Sequence, residues 1–133
     1  MEIESRIGTI PSNQQKAFSL LSDFRNLDKF MPRDQVSDLI SDVDSCHFNI
    51  AKIGKFGMRI VERVPNNQVK ITNTESVPFS FTLWFYLTPI SDNKTSVKIS
   101  LKADLNPIFK LVAQKPLTNF IEALIGKLET IEP

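Results

Sequence analysis

A run of alternating apolar and polar residues over positions 36–105 most constrains how this chain folds. In its clearest part the apolar residues share one parity: Phe79, Phe81, Leu83, Phe85 and Leu87. Side chains of a strand point alternately to the two faces of a sheet, so the pattern predicts one buried face and one wet face. Turn-forming residues interrupt the run at 42–45, 54, 65–68, 76–78 and 91–94. They predict six strands joined by hairpins in an antiparallel sheet.

A further strand and two short helices are predicted before this run. The first seven residues alternate like a strand. Ser12 can then cap a helix, with Gln15 three residues later completing a capping box. Further apolar residues predict a second short helix that ends at Pro32, because proline cannot continue it.

A long helix is predicted after the run. Asn106 is a suitable cap, and Pro107 is favoured at the first helical position. Apolar residues then recur every three or four positions as far as Ile131, which is the spacing of a wide apolar helix face. Pro116 lies within this pattern and predicts a kink or a restart.

Composition excludes several classes of protein. The 133 residues include 16 Lys and Arg against 15 Asp and Glu, and a near-zero net charge is not typical of a nucleic-acid binder. One Cys and one His exclude an internal disulfide and disfavour a zinc site, so we predict no metal and no cofactor. The sequence shows neither a signal peptide nor a run of 18 apolar residues. We therefore expect a single cytoplasmic domain over residues 1–133 with no membrane-spanning segment.

The order of elements resembles that of the SRPBCC superfamily, which includes START lipid-transfer domains, birch-pollen-allergen-like proteins, polyketide cyclase-like proteins and Hsp90-activator-like domains. Its more specific stretches are residues 3–24, 59–65, 87–89 and 95–97, and those at 103–107 and 115–117 are most similar to a bacterial branch. The resemblance implies an α+β helix-grip fold. In that fold a curved seven-stranded antiparallel sheet holds the long C-terminal helix against its concave face, commonly around an apolar ligand cavity.

Hairpin register predicts polar groups on the inner face of this sheet. A four-residue turn at 65–68 would pair Glu62 with Ile71, Ile60 with Asn73, and Met58 with Glu75. Glu62, Asn73 and Glu75 would then face inward among apolar neighbours. A buried carboxylate needs a partner or a ligand, so Glu62 is the first candidate for a polar anchor or a general acid or base. The alternative is that Glu62 lies at the open end of the sheet and pairs with a basic residue in solvent.

His47 is a weaker catalytic candidate because its orientation depends on the next hairpin. A two-residue turn at Gly54 would place His47 inward opposite Glu62 as an acid and base pair. A longer turn or a bulge would place Phe48 inward and His47 outward, which the apolar residues favour. Cys46 would share the inward parity of Phe48 and is expected to be a small core residue.

Trp84 and Tyr86 are predicted on the outer face of the sheet, near Lys98 and Lys102 of the neighbouring strand. Cross-strand packing accounts for this arrangement. The alternative is a patch that docks another protein.

The leading functional prediction is a binding protein for a small hydrophobic or lipid-like molecule held between sheet and helix, rather than an enzyme. One alternative is a cyclase or dehydrase that uses a cavity carboxylate, and another is a protein-interaction module of the Hsp90-activator-like type. The predicted ligand-binding residues lie on the inner strands and the long helix: Met58, Ile60, Glu62, Ile71, Asn73, Phe81, Leu83, Phe85, Phe120 and Leu124.

Overall fold

The predicted antiparallel sheet is present, with one more strand segment than expected. The computed structural model describes residues 1–74 and 79–131. The eight strands are β1 (Glu2–Glu4), β2 (Gly8–Ile10), β3 (Val36–Ser41), β4 (Ser45–Ile50), β5 (Gly54–Val64), β6 (Gln68–Asn73), β7 (Ser80–Ser91) and β8 (Lys94–Asp104). Their order across the sheet is β1-β8-β7-β6-β5-β4-β3, and β2 also pairs with β8. Every pairing is antiparallel.

The extra segment arises because the predicted first strand is divided. β1 and β2 both pair with β8, but the chain departs from the sheet at Arg6 and Ile7. Buried Ser5 bridges the interruption: its N–H donates to the Ile99 carbonyl, and its hydroxyl accepts from the Ile99 N–H, each at 2.8 Å. A side chain thus substitutes for part of the backbone ladder.

Two short helices follow, as predicted, although the cap differs. α1 spans Gln14–Leu21, and a 3-10 helix spans Phe24–Lys29. The cap of α1 is Asn13, whose side chain accepts from the Lys16 N–H at 2.8 Å. The predicted capping box of Ser12 and Gln15 was therefore wrong. Asn is as good a cap as Ser, and here it stands one residue closer to the helix.

The long helix α2 spans Pro107–Glu129, with Asn106 as its cap and Pro107 in the first turn, as predicted. It continues through Pro116 without the restart that the sequence suggested. Proline leaves the carbonyl of Val112 without its usual donor, and Val112 lies at the exposed surface, where water can serve instead. None of the helices in the described residues is long and apolar enough to cross a membrane.

The hairpin between β5 and β6 has a different register from the predicted one. Its loop is three residues long, because Asn66 adopts a left-handed φ of 67° and Val64 pairs with Gln68. Glu62 consequently pairs with Lys70. A bulge between Ile60 and Glu62 then restores the inward orientation of Ile60, which pairs with Ile71.

Candidate functional site

Aromatic rings occupy much of the space between the sheet and α2. The stacked pair Phe56 and Phe81 lies at its centre, with ring centroids 4.5 Å apart. Phe48 lies 5.6 Å from Phe56 and 5.9 Å from Phe120 of α2. Towards the start of the helix, Phe79 lies 5.7 Å from Phe56 and 5.6 Å from Phe109. We call these rings the Phe cluster: Phe48, Phe56, Phe79, Phe81, Phe109 and Phe120.

The apolar members of the predicted ligand-binding set all lie in this interior. Each is buried: Met58, Ile60, Ile71, Phe81, Leu83, Phe85, Phe120 and Leu124. They reach one place because alternate residues of a strand share a face and the helical residues recur every three or four positions. In this structure they pack against one another in the hydrophobic core.

The structure places Glu62 outside this interior, and its predicted inward orientation was wrong. Its side chain is exposed and accepts a hydrogen bond from the side-chain amide of Gln68 at 3.2 Å. The loop that is one residue shorter than predicted is the physical cause, because a shift of one residue moves a side chain to the opposite face. No carboxylate is buried in the described part of the chain.

Asn73 does lie on the inner side of β6, where it is half-buried. Its carbonyl oxygen accepts from the Phe81 N–H at 2.9 Å, and its amide donates to the Thr74 carbonyl at 3.0 Å. These bonds hold the start of β7 against the end of β6. Glu75, which was also predicted on this face, lies outside the described residues.

His47 points outward, as the apolar pattern favoured, so no pair with Glu62 forms on the inner face. It pairs with Gly57 in the sheet, while Phe48 and Cys46 on either side are buried. The turn before β5 covers residues 51–53 and is completed by Gly54, whose φ of 109° suits glycine. Burial raises the pKa of the Cys46 thiol to about 12, so this cysteine has the character of a core residue.

A groove opens between the first half of α2 and the turn from β4 to β5. Its volume is about 590 Å³, which is within the range of small-molecule sites. We call it the α2 groove, and its lining includes Ile50, Ala51, Lys52, Val112, Lys115 and Pro116. Ile50 lies two residues beyond Phe48 on the same face of β4, and Pro116 lies one turn before Phe120. The groove is therefore next to the Phe cluster.

The sequence prediction missed this groove. Part of its signal was readable, because Leu111 and Val112, which line the groove, are apolar residues outside the stripe that packs on the sheet. The other side of the groove could not be read from the sequence, because the approach of residues 50–52 to α2 depends on how the sheet curves.

The outer face carries Trp84 and Tyr86, as predicted. Their rings are stacked, with centroids 6.5 Å apart. Lys102 lies 5.8 Å and Lys70 5.9 Å from the Trp84 ring. Lys98 lies directly opposite Tyr86 in the pairing of β7 with β8, as predicted, and its ammonium group pairs with Glu4 at 3.2 Å. The two lysines beside Trp84 account for its position through cation–π attraction.

Comparison with known proteins bears on the fold. No protein-family model and no curated protein matches this sequence. Solved structures do match over nearly the whole chain. A protein from Thermus thermophilus matches with a TM-score of 0.73 and 19% identity, over 97% of this chain and 94% of that one. A START superfamily protein from Mycobacterium smegmatis matches with a TM-score of 0.68 and 16% identity, over 96% of this chain and 97% of that one.

An enzyme has the same architecture. A norcoclaurine synthase from Thalictrum flavum, solved with a transition state analogue, matches with a TM-score of 0.65 and 12% identity, over 98% of this chain and 96% of that one. Likenesses of this kind define a fold and not an activity. The chain has the SRPBCC-type helix-grip fold, as the sequence predicted.

Proposed function

We propose that this protein binds a small apolar or lipid-like molecule between its sheet and α2, and that the molecule enters through the α2 groove. The observation that carries the proposal is the position of this groove beside the Phe cluster. The proposed binding surface is apolar, so affinity would come mainly from removing apolar area from water, at roughly 25 cal/mol per Å².

The ligand would occupy space that the rings now share. Phe109 is half-buried at the open end of the cluster, and its contact with Phe79 links the surface to the interior. The proposed wall is formed by Met58, Ile60, Ile71, Phe81, Leu83, Phe85, Phe120 and Leu124. Asn73 retains unused hydrogen-bonding capacity and would supply a polar contact on the inner side of β6.

The cyclase or dehydrase alternative requires a carboxylate near the ligand. Glu62 lies on the outer surface, so that alternative loses the residue proposed to move a proton. The interaction-module alternative and the cytoplasmic location stay predictions. We favour a binding role.

A bulky substitution in the groove tests the proposal. We expect Val112→Trp to weaken binding of an apolar fluorophore at least several-fold, because the indole occupies space that the fluorophore needs. Ile108→Trp is the matched control: it adds the same ring one helical turn earlier, outside the groove lining, and should leave affinity unchanged. Fluorescence titration measures both. Native mass spectrometry of protein purified from cells should also detect a bound apolar molecule.

The proposal is overturned if the wild-type protein binds no apolar fluorophore and carries no molecule from cells. It is also overturned if Val112→Trp and Ile108→Trp bind the fluorophore as tightly as the wild type does.

A further inference from the structure

Three exposed aliphatic side chains form a patch on the first half of α2. Ile108 is 79% exposed, Leu111 85% and Val112 55%. Their spacing of three and four residues places them on one helix face. That face lies opposite the buried stripe, because Leu111 and buried Ala113 are about 200° apart around the helix. We call these three residues the α2 patch.

The charge around the α2 patch has one dominant sign. Between Pro107 and Ile121 the helix carries Lys110 and Lys115 and no carboxylate. Lys52 lies across the α2 groove from Lys115, and Asp34 is the acidic residue that lines the same groove. The start of a helix normally favours acidic side chains, so the lysines here favour an anionic partner instead.

We propose that the α2 patch and its lysines dock this protein onto an anionic lipid surface. The nature of the partner rests on the proposed function, because a protein that takes up apolar molecules must meet them where they collect. Insertion of a few apolar side chains together with attraction of lysines to anionic headgroups is the physical basis of interfacial binding. Docking would bring the mouth of the α2 groove to the membrane surface.

A second copy of the chain fits this surface less well. Three aliphatic side chains present less than the roughly 800 Å² that each partner of a standard protein interface buries. The adjacent lysines would also repel the same lysines of a second copy. A membrane needs neither a large flat area nor a complementary shape.

Vesicle co-sedimentation with the full chain tests the docking. We expect binding to vesicles of phosphatidylcholine with phosphatidylglycerol, weaker binding as salt is raised, and much weaker binding to phosphatidylcholine alone. Ile108→Asp should abolish sedimentation, because it places a charge where the apolar residue inserts. Ile40→Asp is the matched control: Ile40 is 73% exposed on β3, away from the patch, and should behave like the wild type.

Two double variants test the contribution of the lysines to vesicle binding. Lys52→Gln with Lys115→Gln should lower partitioning roughly twenty-five-fold, since each lysine near an anionic membrane contributes about fivefold. Lys29→Gln with Lys94→Gln removes the same charge from exposed positions elsewhere and should have little effect. Circular dichroism checks that every variant is folded.

The docking proposal is overturned by equal binding to neutral and anionic vesicles, or by an Ile108→Asp variant that still sediments. It is also overturned if light scattering shows a dimer that Ile108→Asp dissociates. Fluorophore titration without vesicles separates the two proposals. Vesicle binding by a protein that binds no fluorophore and carries no molecule from cells supports docking and overturns the proposed function, and fluorophore binding without vesicle binding overturns docking alone.

Discussion

At the scale of single residues, the interior depends on phenylalanines that contact one another across β4, β5, β7 and α2. Phe56 contacts three of them, since its ring centroid lies within 5.7 Å of those of Phe48, Phe79 and Phe81. Tilted and stacked ring pairs contribute beyond the area they bury. Removing such a ring leaves space that the neighbours fill only in part.

The first prediction concerns this ring. Phe56→Ala should lower the free energy of unfolding by about 3–5 kcal/mol and increase the amount of apolar fluorophore bound, because the new cavity lies within the proposed site. Phe24→Ala is the matched control, since Phe24 is equally buried but lies on the 3-10 helix. It should cost similar stability without a gain in binding. Chemical denaturation and fluorescence titration measure the two effects, and equal fluorophore binding by both variants would contradict the prediction.

At the scale of elements, close contact between α2 and β2 sets the position of the helix. A methyl group added at Gly8 would lie 2.6 Å from the Cγ2 atom of Ile125, which is closer than two carbon atoms pack. Glycine therefore allows the second half of the helix to approach the sheet edge. Among the described residues no glycine makes a similar close approach to the first half of α2, and the outer face of that half carries the α2 patch.

The second prediction follows from that contact. Gly8→Ala should destabilise the protein by about 1–3 kcal/mol, because overpacking forces α2 away from β2. Gly126→Ala is the control, because no atom lies within 4 Å of its added methyl group. It should stabilise the helix by about 0.5–1 kcal/mol. Thermal and denaturant unfolding measure both changes, and a neutral Gly8→Ala would show that the helix is not held here.

At the scale of the whole molecule, the two ends of α2 make different contacts. Its C-terminal end is tied to the interruption between β1 and β2. There the Arg6 guanidinium donates to both carboxylate oxygens of Glu129, at 2.6 and 3.0 Å, and lies 3.5 Å from Glu122. Its N-terminal half instead borders the α2 groove. The proposed entrance thus lies at the opposite end of α2 from the Arg6 ion pairs.

The third prediction concerns the pH dependence of the ion pair between Arg6 and Glu129. The Arg6 hydrogen bonds lower the pKa of Glu129, so the contribution to stability is complete above the ordinary glutamate pKa. It is lost as the pH falls through the lowered value. Arg6→Ala should therefore be slightly less stable than the wild type at neutral pH, and the difference should disappear once the pH has fallen far enough to protonate Glu129. Arg59→Ala, an exposed arginine with no ion pair among the described residues, serves as the control. A difference that persists in acid would contradict the assignment.

The sequence by itself determined the identity of the core and the element order, apart from the division of the first strand into β1 and β2. Alternation over residues 36–105, the cap at Asn106 and the helical spacing after Leu117 are local patterns, and local patterns follow directly from backbone geometry. The outward orientation of His47 and the burial of Cys46 followed from counting apolar neighbours.

The tertiary structure decided which polar residues face inward and where the groove opens. Glu62 faces outward because its hairpin loop is one residue shorter than predicted. A three-residue loop and a four-residue loop here have nearly the same apolar pattern, so the sequence does not distinguish them. The α2 groove depends on residues from 34 to 119 that meet only when the sheet curves around the helix. Contacts between distant segments are set by the packing of whole elements, so the entrance of this site is a property of the fold and not of any local stretch of sequence.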